Sequence, residues 1–158
     1  MKSNIIKEVK ILLLLIIVLT AAFFLGDYAF LKSKQSYLFK NYQTSVFVGD
    51  NLLFVRVASK EASREIGLSN SLPLHSNQGM LFIFNSADNY GFWMKDMIFP
   101  IDIIWIGENK KIVYIEKNVL PESYPKNFSP NVKAMYVLEV LSGFSEKHNI
   151  KIGDEVFF

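Results

Sequence analysis

The segment Ile101-Asp-Ile-Ile-Trp-Ile106 constrains the fold more than any other part of this sequence. β-Branched and aromatic residues fill every place but one, so the segment reads as a strand. The exception is Asp102. A carboxylate in such a strand either lies on a solvated face or is buried, and burial demands a partner. The strand ends a longer stretch, Gly91 to Trp105, that holds both tryptophans and a Met94-Lys-Asp96 turn.

Similar short runs recur along the chain. Ser45 to Val57 contains two β-rich runs around Gly49-Asp50-Asn51, a hairpin signal. Gly79 to Phe84 is a continuous apolar run of strand length, expected to be buried on both faces. Tyr90–Met94, Lys111–Glu116, Ala134–Val140 and Val156–Phe158 read as further strands, the last at an edge. Two short helices are expected, one over 60–66 capped by Ser59 and one ending near Lys147 capped by Ser142. Many short strands with turns between them predict a mainly β fold, a compact sandwich or barrel of antiparallel strands.

Charge divides the chain. The first 40 residues hold six lysines against Glu8 and Asp27, whereas the remainder holds eleven basic and thirteen acidic residues. The globular part is thus mildly acidic and offers no basic stripe for phosphates, which argues against nucleic-acid binding. The basic excess flanks an uncharged run from Ile11 to Leu25, with Lys2, Lys7 and Lys10 before it. A helix from Ile11 to Leu31 would rise about 31 Å, enough to cross the hydrocarbon of a bilayer. The domain organisation expected is an anchor or signal segment over 1–31, a juxtamembrane linker over 32–43 and a mainly β domain over 44–158. Basic residues before the run favour an inside N-terminus and a domain outside the cytoplasm. A secreted form, after cleavage near Thr20-Ala21-Ala22, is the alternative.

Four segments together resemble the domain of unknown function 192 family of prokaryotes. They are Arg64-Glu-Ile-Gly-Leu68, Gly79-Met-Leu-Phe82, Phe92-Trp-Met-Lys95 with Pro100-Ile-Asp102, and Val137-Leu-Glu139 with Gly143 and Gly153-Asp154. The Trp-Met…Pro-x-Asp pairing is the specific element. The resemblance spans about Val46 to Phe158 and implies a compact mainly β fold, often exported or anchored by one N-terminal helix, with no reaction to inherit. The chain departs from the family pattern at Ser69, Ser71 and Met97, positions expected at a pocket rim.

Candidate chemistry centres on few residues. Asp102 on an interior strand needs a cation or several donors, and Arg64 and Lys95 are the available cations, with a buried Arg64–Asp102 pair the leading expectation. Strict alternation places Glu139 with Val137 and Leu141, on the more exposed face of its strand. If it shared a cleft with Asp102, the two acids could do acid–base work, so a small hydrolase or lyase is the alternative reading. Trp93 either fills the core or, with Lys95 and Asp96, lines a groove for a sugar ring or peptide segment. The chain has no cysteine and two distant histidines, His75 and His148, so neither a disulfide nor a metal site is expected. No nucleophile elbow or phosphate loop occurs, and no cofactor is expected. The function expected is therefore a membrane-anchored binding domain of the cell envelope, its partner a polysaccharide, peptide or protein. Trp93, Lys95, Asp96 and Asp102 would be the recognition residues, with Arg64 orienting Asp102.

Overall fold

The computed structural model describes residues 16–29 and 42–158. The chain divides into two compact units, Met1–Asn41 and Tyr42–Phe158. In the first, residues 16–29 form a helix (α1) with exposed side chains. Among the described residues no helix is long and apolar enough to cross a membrane. The expected helix from Ile11 to Leu31 and most of the expected linker over 32–43 lie partly outside the described residues.

The second unit is a half-barrel of seven strands with two small helices. In chain order it runs β1 (Thr44–Val48), β2 (Asn51–Ala58), α2 (Glu61–Ile66), β3 (Gln78–Asp88), β4 (Ile101–Ile106), β5 (Ile112–Val119), a 3-10 turn (Pro121–Ser123), β6 (Ala134–Leu141), α3 (Phe144–Lys147) and β7 (Val156–Phe157). The strands lie in the order β5-β4-β6-β3-β2-β1-β7. The hairpin between β1 and β2 turns at Gly49, whose φ of 55° suits a residue without a Cβ.

Not every pair is antiparallel. β2 and β3 run parallel, Phe54 facing Gln78 and Ala58 facing Phe82. A parallel pair needs a crossover, and the segment between the two strands, including α2, supplies it. β7 ends the strand order, an edge strand as expected, though part of its outer side is bonded. It pairs with β1, and the Ile112 N–H donates to Asp154 O at 2.9 Å while the Val156 N–H donates to Lys110 O at 2.9 Å. These bonds curl the β7 end of the sheet back toward β5 and remove much of an exposed edge.

Alternation along the strands builds a separate apolar cluster on each face of the sheet. Val46, Leu53, Val55, Leu81, Ile104, Leu138 and Val140 fill one. Met80, Phe82, Ile103, Trp105 and Val137 belong to the other, which the segment holding Met94 and Phe99 covers. Every residue of β4 is buried, because this strand serves both clusters.

Three local expectations fail, for identifiable reasons. Tyr90–Met94 is not a strand; only Phe92 pairs, with Phe128, through hydrogen bonds of 3.0 and 2.7 Å. Gly91 lies so close to the Asn127 side chain that a Cβ there would collide with it. Ser59 does not cap α2. Lys60 occupies the cap position and its N–H donates to Ser63 Oγ at 3.1 Å. Ser142 does not cap α3, whose leading amides are instead satisfied by a side chain from β4.

Candidate functional site

Asp102 is that side chain. It is fully buried on the face opposite Ile103 and accepts three main-chain hydrogen bonds. The Asn118 N–H donates to Oδ1 at 2.9 Å, the Gly143 N–H to Oδ1 at 3.2 Å and the Ser145 N–H to Oδ2 at 2.8 Å. Asp102 therefore clamps β5 and the start of α3 to β4. This satisfies a buried carboxylate without any cation.

The expected Arg64–Asp102 pair does not form. The Arg64 guanidinium sits 5.1 Å from the Phe84 ring centroid and donates to Ser59 O at 2.6 Å and Ile83 O at 3.2 Å. It ties α2 to the middle of β3 and has no role in orienting Asp102. The expected acid pair fails as well. Asp102 faces Val140 across the ladder and Ile103 faces Glu139, so the two acids project from opposite sides of the sheet. The hydrolase or lyase reading that required them in one cleft is overturned.

Glu139 occupies a different setting from the exposed face expected for it. It is only 5% exposed, and its Oε2 has no hydrogen-bond partner. Along one row of the sheet, Arg56 faces Met80 and Met80 faces Glu139. Burial pushes the Glu139 carboxyl up to about 8, against the opposing pull of the Arg56 charge. The acid is therefore mostly protonated at neutral pH.

Above Glu139 opens a cavity of about 540 Å³. Phe82, Phe84, Tyr90, Phe92 and Trp93 supply its aromatic walls, and Arg64 and Lys95 contribute the basic groups. Phe84 and Tyr90 stack with centroids 3.4 Å apart, and Phe92 meets Phe82 edge to face at 4.9 Å. These contacts fix the ring positions, as aromatic pairs do. Trp93 stands at the mouth, 52% exposed, 6.4 Å from Tyr124. Trp105 instead is buried in the cluster behind, its Nε1–H donating to Tyr90 O at 2.9 Å.

The cavity thus gathers Arg64, Trp93, Lys95 and Glu139 from among the expected residues. Asp96 and Asp102 are not part of its lining. Asp96 is exposed with φ of 56°, and its main-chain O accepts from the Asn70 N–H at 2.8 Å. Ser69 Oγ donates to Lys95 O at 2.8 Å, so these two bonds latch the 68–71 loop to the 95–96 turn. Ser69 and Met97, where the chain departs from the family pattern, both line the cavity. Ser71 is not part of the lining and receives a 3.4 Å hydrogen bond from Arg56 Nη2. Sequence reasoning missed the Phe82, Phe84, Tyr90 and Phe92 walls. The i, i+2 spacing of Phe82 and Phe84 on one strand was the available signal.

Of the two histidines, His75 is exposed and His148 packs 4.7 Å from Phe144. Among the described residues no group of His, Asp and Glu could hold a metal ion.

Comparison with solved structures finds a similar fold in other proteins. A protein of unknown function from Novosphingobium aromaticivorans matches with a TM-score of 0.69 and 28% identity, over 73% of this chain and 84% of that one. A candidate transcription regulator from Sinorhizobium meliloti matches with a TM-score of 0.69 and 25% identity, over 74% of this chain and 95% of that one. No curated protein matches. The family model of DUF192, described as an uncharacterized ACR, matches residues 44–158. That match takes in the whole half-barrel, the Asp102 clamp and the cavity above Glu139, and the chain belongs to the DUF192 family.

Proposed function

We propose that the half-barrel is a binding module of the cell envelope, carried outside the cytoplasm on its N-terminal segment, and that the cavity above Glu139 is its binding site. The observation that supports the binding site is the Glu139 Oε2, buried without a hydrogen-bond partner beneath an aromatic-walled opening. A buried polar atom without a partner costs about 1–3 kcal/mol, and a ligand that bonds to it recovers that cost. Concave, ring-lined openings with a few polar groups are the common form of small-ligand sites. The ligand is an envelope polysaccharide or peptide that lays a ring or side chain against Trp93 and reaches Glu139 with a polar group.

The support for the location is the charge pattern of the leader, with Lys2, Lys7 and Lys10 ahead of an uncharged run. An uncleaved anchor and a cleaved signal peptide place the half-barrel on the same side of the membrane.

Two experiments test the reading. A thermal-shift screen of the full-length chain in detergent micelles should find saccharide or peptide fragments whose stabilisation disappears in Trp93→Ala. A hit that survives loss of that indole moves the site elsewhere. A topology reporter fused after Phe158 should be active outside the cytoplasm. Activity inside overturns the location.

A further inference from the structure

The chemistry of the cavity floor narrows the ligand class. Glu139 shares the cavity lining with Phe82, Phe84, Tyr90, Phe92 and Trp93, and aromatic rings attract cations. The cavity wall already demonstrates this, because the Arg64 guanidinium rests over Phe84 at 5.1 Å. Glu61 and Glu65 of α2 add two carboxylates to the lining, which match Arg64 and Lys95 in number while Glu139 is protonated, so ionisation of Glu139 tips the lining toward negative charge. Glu61, Glu65 and Lys95 are all exposed, so solvent screens their charges alike and the buried Glu139 is the acid that a ligand inside the cavity meets unscreened.

Arg56 is the charged group on the strand row beside Glu139, yet its Nη2 donates to Ser71 Oγ and the residue is not part of the cavity lining. No ion pair joins Arg56 to Glu139 among the described residues, where Lys111–Glu155 is the pair formed. Glu139 Oε2 at the base of the cavity has no hydrogen-bond partner, and neither Arg64 nor Lys95 forms an ion pair with it among the described residues.

We infer that the cavity takes a ligand presenting an ammonium group, which descends between the rings and pairs with the Glu139 carboxylate. This rests on the binding reading above and deepens it. A neutral hydroxyl or amide would be served equally by a glutamine at this position. An ammonium gains full Coulomb attraction only from an acid, and that attraction is large on a water-poor floor. On binding, the Glu139 carboxyl gives its proton to solvent and the ligand keeps its own, so charge is conserved. An amino sugar and a peptide amine both carry the required group.

The test uses the full-length chain in micelles, observed through its two tryptophan indole N–H resonances. The probes are n-butylammonium, n-butanol and butyrate at matched ionic strength. n-Butylammonium should move the Trp93 resonance saturably, with n-butanol and butyrate at least about tenfold weaker. Its affinity should rise from about pH 6 to about pH 9 as Glu139 ionises, with Arg56, Glu61, Arg64, Glu65 and Lys95 as the surrounding charges. Glu139→Gln should weaken n-butylammonium about tenfold or more, while Glu139→Asp keeps part of the response. An unmoved Trp105 resonance, fixed by its bond to Tyr90, shows that each variant is folded. Glucosamine against N-acetyl-lysine methylamide then distinguishes the sources, and tighter binding of either supports the proposal. A Trp93 resonance that ignores n-butylammonium overturns it. So does n-butanol acting as strongly with Glu139→Gln unaffected, a result that leaves the binding site standing and removes only its cation preference.

Discussion

Ser145 and Asp102 lie 43 positions apart in sequence and are joined by a 2.8 Å hydrogen bond from the Ser145 amide to Asp102 Oδ2. The same carboxylate takes the amides of Asn118 and Gly143 on its other oxygen. One buried acid therefore does for α3 what a local Ser or Asp does for most helices, from β4, the strand paired with the one that leads into α3. Asp102→Asn keeps one acceptor but turns an NH2 toward an amide. We expect it to lower stability by about 1–3 kcal/mol, read as a lower denaturant midpoint at unchanged slope. A midpoint equal to wild type contradicts the clamp.

The separation of Arg64 from Asp102 has its own test. Arg64→Ala removes hydrogen bonds to two carbonyls and the contact over Phe84, and should cost about 1–2 kcal/mol. Since the two residues share no partner, the double variant with Asp102→Asn should be additive within about 0.5 kcal/mol. A coupling well above that, in a double-mutant cycle by urea denaturation, restores the pair that the sequence had favoured.

The two tryptophans should behave in opposite ways. Trp105 is wholly buried and bonded through its indole N–H, so Trp105→Ala should cost about 3–5 kcal/mol. Trp93 is half exposed, and Trp93→Ala should change stability by no more than about 1 kcal/mol. Equal losses in thermal denaturation place Trp93 in the core and remove it from the mouth of the cavity.

Glu139 makes stability depend on pH in an unusual sense. Its carboxyl is raised to about 8 in the folded chain from 4.5, so between these values the native state holds a proton that the unfolded state has released. Stability from this group is full below about pH 4.5 and falls as pH rises toward about 8, with a slope of up to about 1.4 kcal/mol per pH unit. Glu139→Gln should remove that slope, so the variant gains on wild type steadily across the window in denaturation curves taken at successive pH. Parallel curves for the two proteins contradict a buried, protonated acid.

Most strands were legible because their signal is local. Ile101–Ile106 and Ala134–Val140 carry enough β-branched and aromatic residues to declare themselves, and the turn at Gly49-Asp50 marks its own hairpin. What failed was non-local. The parallel pairing of β2 with β3 depends on where the crossover through α2 delivers the chain. Asp102 finds its donors on β5 and α3, which no spacing near it reveals. The facing of Glu139 follows from alternation, but its burial comes from α2 and the 91–99 segment folding over that face. Tyr90–Met94 has the composition of a strand, and the close approach of Gly91 to Asn127 together with the single bridge at Phe92 leaves it irregular.

The state of the Glu139 carboxyl is the most direct test of the site, because a ligand-seeking group there must be shielded and partnerless before anything binds. Carbon-13 NMR of the glutamate side-chain carboxyls, assigned by comparison with Glu139→Gln, follows its ionisation in the ligand-free full-length chain. The midpoint predicted is about 8. A Glu139 carboxyl that titrates near 4.5, as a solvated glutamate does, contradicts the site.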